Sequence, residues 1–209
     1  MVYFFNDYEN FSAEKYLKFL PPKRYEKFKK IKKKIDADNC VVAYLILAYA
    51  LKQNGIPDFD IVIGENGKPF LSGKDKYFNI SHCSDGVAVV IDENPVGTDI
   101  QEITEFRERI AKRFFSEDEN KRIAVSKNKS EIFTRLWTLK ECAIKCDGKS
   151  LANLKDFSFE NYENFFEKYG KKFSCLTQKN VLISICGNKY FNEIKTISTE
   201  DFYETFISR

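Results

Sequence analysis

The chain has 209 residues, 43% of them hydrophobic, with 34 lysines and arginines against 31 aspartates and glutamates for a formal net charge of +3. A chain of this size buries a real core as one large domain or two small ones. Its single histidine excludes a His-rich metal centre, and its near-balanced charge counts against a protein built to coat nucleic acid. The first residues lack the basic start and small-residue cleavage site of a secretory signal, so the sequence predicts a cytoplasmic protein. The longest apolar run, Cys40 to Leu51, is twelve residues, a buried helix and not a membrane span. The six cysteines (40, 83, 142, 146, 175, 186) form no C-x-x-C pair. Cys142 and Cys146 are four apart on one helix, but no cluster completes a metal site around them. They read as free buried thiols.

In chain order, residues 2–11 alternate loosely and suit a strand, and Pro21-Pro22 breaks the pattern. From Lys23 to Lys34 eight of twelve positions are Lys or Arg, with Phe28, Ile31 and Ile35 at helical spacing. This predicts a basic amphipathic helix, either a solvated lysine face or a phosphate-binding one. Asp36-Ala-Asp-Asn39 reads as a break and N-cap before the buried helix 40–53, which stops at Asn54-Gly55. The period then changes to two. Strands are predicted around Phe59–Ile63, Phe78–Ile80, Val87–Ile91 and Val96–Ile100, with turns at 64–69 and 92–95, an antiparallel meander on the 40–53 helix. Asp99 and Gln101 are two apart and share a face of their strand.

Helices are predicted at 107–115 and 116–126, the second opened by the capping box Ser116-Glu-Asp-Glu119. The following helix carries Ile132, Phe133, Leu136, Leu139, Ala143 and Cys146 as an apolar stripe and stops at Asp147-Gly148. Nearly opposite that stripe stand Trp137, Glu141 and Lys145, with Ile144 beside them. A solvated face has little use for a tryptophan and an isoleucine, so Glu141 and Lys145 are expected in a cleft rather than as an ordinary surface pair. Strands at 157–159, 172–176 and 181–186 complete the reading. Helix-then-strands occurs twice, which predicts an α+β fold of two similar subdomains, 1–97 and 98–209, each an antiparallel sheet on a long helix, with a small-molecule site in the cleft between them.

Four stretches in order, Gly67-Lys-Pro69, Phe78-Asn-Ile-Ser-His82, Val96-Gly-Thr-Asp-Ile100 and Trp137-Thr-Leu-Lys-Glu-Cys-Ala-Ile-Lys145, resemble the ordered motifs of the Sfp-type 4′-phosphopantetheinyl transferases. Residues 110–119 also look like that family's segment between its third and fourth motifs, and the length resembles its two-subdomain, pseudo-dimeric monomers. The resemblance implies Mg²⁺- or Mn²⁺-dependent transfer of the phosphopantetheine arm of coenzyme A to a serine of an apo acyl, peptidyl or aryl carrier protein, releasing 3′,5′-ADP. It implies that Asp99 and Glu141 hold the metal, and that Gln101 ligates it directly or through water. Glu141 would take the serine proton and Lys145 would stand over the phosphates. Arg24, Lys27, Lys68, Pro69, Ser81, His82, Asp99 and Lys145 would bind coenzyme A. Plain readings stand beside these: His82 as a turn hydrogen-bonder and Lys68 as a solvated turn lysine. Lys112, Arg113 and Phe114 would steer the acidic docking face of a carrier protein. Neither nucleic acid nor a membrane is implied as a partner.

Three departures stand out. Gln101 replaces the family's second acid, Asn39-Cys40 replaces an arginine and threonine, and Ser150 stands where glycine is expected. They keep open a relative that binds coenzyme A or a carrier without turnover. A basic-helix nucleic-acid module is the remaining alternative, and its affinity would fall steeply with salt.

Overall fold

The computed structural model describes residues 1–208 apart from 65, 74, 161 and 162, so Glu65 of the expected 64–69 turn and Arg209 lie outside the described residues. The fold is mixed α+β, with helices packed on two largely antiparallel four-stranded sheets. β1 (Val2–Phe5), β4 (Tyr77–Cys83), β5 (Gly86–Asp92) and β10 (Ile194–Ile197) form the first sheet in the order β10-β1-β5-β4. β6 (Gly97–Glu102), β7 (Phe165–Lys168), β8 (Lys171–Gln178) and β9 (Val181–Gly187) form the second, ordered β6-β9-β8-β7. A short hairpin of β2 (Ile61–Ile63) and β3 (Pro69–Leu71) stands apart.

Burial follows the pleat. Tyr3, Phe5, Val87, Val89 and Ile91 pack against α2 (Lys34–Gln53). Their neighbours Val2, Phe4, Ala88 and Val90 turn the other way and meet Ile100, Val181, Ile183 and Ile185 of the second sheet. The far face of that sheet packs against α5 (Lys129–Asp147) through Phe173, Cys175 and Cys186. The layers therefore run helix, sheet, sheet, helix. Every residue of β5 and of β9 is buried, which is why both are mostly apolar, Asp92 and Ser184 excepted. The capping box at Ser116 opens α4 (Glu117–Val125) as expected, and Gly148 ends α5 in the left-handed conformation.

Several boundaries differ from the sequence reading. The basic helix is only α1, Pro22–Lys29, and α2 begins at Lys34, so Asp36-Ala-Asp-Asn39 is helix and not a cap. Lys34 bridges to Asp38 at 2.6 Å along that first turn, an i,i+4 pair that favours helix. Residues 157–159 are not a strand; β7 lies at Phe165–Lys168 instead. α3 is Glu108–Phe114. The division at 97/98 does not follow the strand pairing either. β10 pairs in parallel with β1, Val2 opposite Ile194, and α6 (Thr199–Phe206) sends Phe202 to stack on Phe5 with ring centroids 5.1 Å apart. The first sheet is thus built from both ends of the chain.

Candidate active site

The edge strands β4 and β6 of the two sheets lie side by side, joined by side chains in place of a strand ladder. The Thr98 amide donates to Asn79 Oδ1 at 2.9 Å, and the Ile100 amide donates to Ser81 Oγ at 3.3 Å. Gly97 lets β6 approach α5 closely: a Cβ there would stand 2.1 Å from the Cys142 carbonyl oxygen and 2.4 Å from the Cys146 nitrogen. Both are backbone atoms and cannot swing aside, so no larger residue fits. With β6 pressed onto α5, Asp99, two residues on and on the same face, meets Lys145 of the helix.

Lys145 Nζ donates to Asp99 Oδ1 at 2.6 Å and lies 3.9 Å from Glu141 Oε2. The Ser81 hydroxyl donates to the same Asp99 oxygen at 2.7 Å. Asp99 is buried, and its second oxygen, Oδ2, has no hydrogen-bond partner. An orphaned carboxylate oxygen is costly unless something fills the position in front of it. Glu141, half-buried one turn before Lys145, has its pKa pushed up to about 7, first by burial and then by the charge of Asp99, against the pull of Lys145. Burial opposes the charge on Lys145, yet the Asp99 and Glu141 carboxylates hold its pKa above the ordinary value. Two carboxylates about one ammonium, with one oxygen unsatisfied, are a hard-oxygen donor set suited to a divalent cation. Gln101 shares the face of Asp99 and lines, with Thr104, Arg107 and Trp137, a pocket of about 230 Å³ that Asp99, Glu141 and Lys145 do not line.

A second pocket, about 340 Å³, opens on the α2 side of β4 and is lined by Arg24, Lys27, Asn39, Pro69 and His82 among others. Ser81 and His82 are adjacent in sequence and so face opposite ways: Ser81 joins the acid-lysine cluster and His82 the basic pocket. Partial burial and the Lys145 and Lys27 ammonium groups hold the His82 pKa below its usual value. Arg24 donates to the Cys40 carbonyl at 2.9 Å and lies over the Tyr44 ring. Asn39 is a buried tie: the Tyr8 hydroxyl donates to its Oδ1, and its Nδ2 donates to the Cys83 carbonyl at 2.9 Å.

Lys68 is not the solvated turn lysine of the sequence reading. Its ammonium donates to the carbonyls of Lys145 (2.6 Å), Cys146 (3.0 Å) and Val96 (3.3 Å). An ammonium has three hydrogens, so in this arrangement none remains for a phosphate. The sequence reading also passed over Lys140. Wholly buried, it pairs at 2.9 Å with the equally buried Glu119, the acid of the capping box, and donates to the Phe157 carbonyl. Its position between Leu136 and Ala143, inside the apolar stripe, was the available signal.

The model of the 4′-phosphopantetheinyl transferase superfamily matches residues 95–193, which contain Asp99, Glu141 and Lys145. The chain is 34% identical over 146 residues to 4′-phosphopantetheinyl transferase Sfp of Bacillus subtilis strain 168, covering 66% of this chain and 65% of that one. Over residues 95–193 the chain resembles the 4′-phosphopantetheinyl transferase superfamily. Two further members it resembles are the transferase gsp of Aneurinibacillus migulanus, 39% identical over 111 residues (51% of this chain, 46% of that one), and the transferase ffp of Bacillus subtilis, 29% identical over 160 residues (73% and 71%). The matches to gsp and Sfp thus span about half and just under two thirds of those relatives' own lengths. Within the superfamily match, the acid-acid-lysine cluster lies on β6 and α5, while the basic pocket lies outside it, in the first sheet and its helices.

Proposed function

We propose that the protein transfers the 4′-phosphopantetheine arm of coenzyme A to a serine of an apo carrier protein, leaving 3′,5′-ADP. One observation carries this reading: Asp99, Glu141 and Lys145 converge where two sheet edges meet, and a basic pocket lies one strand residue away. The two sheets, each backed by one long helix, support a pseudo-dimeric monomer whose site is the cleft at β4 and β6. Arg24, Lys27, Pro69 and His82 would receive the nucleotide end of coenzyme A, and Ser81, Asp99 and Lys145 would lie at its pyrophosphate.

Asp99 and Glu141 would hold a Mg²⁺ ion (or Mn²⁺), with the Gln101 amide as the third oxygen. When bound, the ion neutralises pyrophosphate charge and polarises its oxygens. The serine oxygen forms a bond to the phosphorus bearing the pantetheine arm, and the bond from that phosphorus to the 3′,5′-ADP oxygen breaks. Glu141 would take the hydroxyl proton, directly or through water. Lys145 offsets the charge that gathers on the leaving phosphate. Purified protein with Mg²⁺, coenzyme A and a panel of apo carriers is expected to add one phosphopantetheine per carrier, read by mass spectrometry. No gain on any carrier would overturn the reading and favour the alternative raised by Gln101 and Asn39, a protein that binds coenzyme A without turnover.

An amide in place of a carboxylate leaves the metal with one negative charge fewer. Gln101→Glu is therefore expected to lower the Mg²⁺ concentration for half-maximal rate by about 3–10-fold. An unchanged metal titration would remove Gln101 from the site. Carrier docking is assigned to the surface of α3 around Lys112, Arg113 and Phe114, where Arg113 lies over the Phe114 ring and Lys112 pairs with Glu108 at 2.7 Å. Replacing both cations with glutamate is expected to raise the carrier KM by about tenfold with the coenzyme A KM unchanged. If carrier KM stays put, the carrier docks elsewhere.

A further inference from the structure

The turn between β2 and β3 reaches across from the first sheet's side to the end of α5. Lys68 donates to the carbonyls of Lys145 and Cys146, which lie in the last turn of a helix and have no intrahelical amide to serve them fully. The same ammonium donates to the Val96 carbonyl, one residue before β6 begins. Two residues back, Asn66 Nδ2 donates to the Gly148 carbonyl at 2.8 Å, and the Lys68 stem lies 3.7 Å from where a Cβ on Gly148 would stand. A positive charge at a helix C-terminus is also favoured by the helix dipole. One side chain thus holds the end of the helix that carries Lys145 and the start of the strand that carries Asp99. On the far side of the same turn, Pro69 lines the basic pocket with Arg24, Lys27 and His82.

We infer that Lys68 is a positioning residue: clamped on the carbonyls of Lys145, Cys146 and Val96, it sets where the Lys145 ammonium stands over Asp99, and it does not grip the nucleotide. Its kinetic test rests on the transferase reading; its structural test does not. A displacement of about 1 Å at reacting groups is enough to cost ~100-fold in rate, so a clamp on the backbone of Lys145 matters to turnover more than to substrate binding.

The experiment compares wild type with Lys68→Met, Lys68→Arg and the milder Asn66→Ala, each checked by near-UV circular dichroism and rates normalised to folded protein. Coenzyme A affinity is measured by calorimetry, transfer by carrier mass gain, and amide exchange by mass spectrometry. Lys68→Met is expected to lower kcat by about 10–100-fold while the coenzyme A Kd moves by less than about threefold. The amides of Gly148 and Lys149, which bond to the Lys145 and Ile144 carbonyls, are expected to exchange about tenfold faster. Lys68→Arg is expected to restore part of kcat and of the protection, and Asn66→Ala to show the same pattern more weakly. A Kd weakened about tenfold with kcat and exchange unchanged would make Lys68 a phosphate ligand and overturn the inference. So would kcat, Kd and exchange all at wild-type values. If wild type transfers nothing, the transferase reading fails, and amide exchange still decides the clamp: faster exchange in the variant supports it and unaltered exchange overturns it. If Lys68→Met does not fold, Lys68→Arg and Asn66→Ala are read by the same criteria.

Discussion

Lys140→Ala is expected to cost about 3–5 kcal/mol of stability, a large share of the ~5–15 kcal/mol that holds a typical protein folded. The loss does not come from the 2.9 Å contact alone. Lys140 and Glu119 are 1% and 0% exposed, and removing the ammonium leaves the Glu119 carboxylate charged with no counter-ion and little water. Burial already pulls the Lys140 pKa down, with Glu119 the chief force holding it up. Glu119 also accepts from the Ser116 amide at 2.7 Å and from the Phe159 amide at 2.8 Å, so one buried acid closes the cap of α4 and fixes the chain after the 3-10 turn Leu151–Asp156. The double variant Glu119→Gln, Lys140→Met keeps an oxygen for the cap and removes both charges. It is expected to recover most of the loss. Urea unfolding midpoints of the two variants decide this. If the single variant loses less than about 1 kcal/mol, the pair is not the tie between α4 and α5 described above.

Glu141→Gln is expected to reduce transfer by about 10³-fold or more, since in the proposed reaction it would remove both a metal ligand and the proton acceptor. The same change is expected to stabilise the protein in chelator at alkaline pH. The folded pKa of Glu141, about 7, lies above the ordinary value of 4.5. Folded protein therefore binds the proton more tightly than unfolded chain, and stability from this group is greatest below 4.5, falls as pH rises to 7, and is flat beyond. Glutamine avoids that loss, which amounts to roughly 3 kcal/mol at pH 8 for a shift of this size. Melting temperatures of the two proteins in chelator are expected to differ more at pH 8 than at pH 5. Added Mg²⁺ is expected to raise the wild type far more than Glu141→Gln. A gap that does not change with pH would mean that Glu141 is not the strained acid of the site.

Much of the frame was legible because it repeats a simple period. Val87–Ile91 of β5 is apolar throughout and β9 is apolar but for Ser184, the stripe of α5 recurs every three or four residues, and Gly148 marks where it stops. What escaped the sequence was set by contacts distant in the chain or by chemistry with two outlets. The first turn of α5 is polar, so its start at Lys129 left no apolar signal, and the acids before the 40–53 run look like a cap although Lys34–Asp38 makes them helix. Asp99, Glu141 and Lys145 were identified through their motifs, but that Lys145 donates to Asp99 depends on how closely Gly97 lets two backbones approach. Lys68 is the clearest case. An ammonium serves a phosphate and a helix-end carbonyl equally well, and only the position of α5 distinguishes them. The helical-wheel reading likewise placed Lys140 nowhere, because a lysine in an apolar stripe makes sense only once Glu119 is known to lie opposite it.

The pairing of β1 with β10 also fixes an order of events during synthesis. Val2 to Phe5 leave the ribosome well before their parallel partners, Ile194 to Ile197, which are made nearly two hundred residues later. Until then β1 has an open edge, and Phe5 lacks the Phe202 ring that stacks on it. Closing so long a loop is entropically costly and slow, so the first sheet remains incomplete while the helix bearing Glu141 and Lys145 is already being made. Within that sheet, the strand that is made earliest is sealed last.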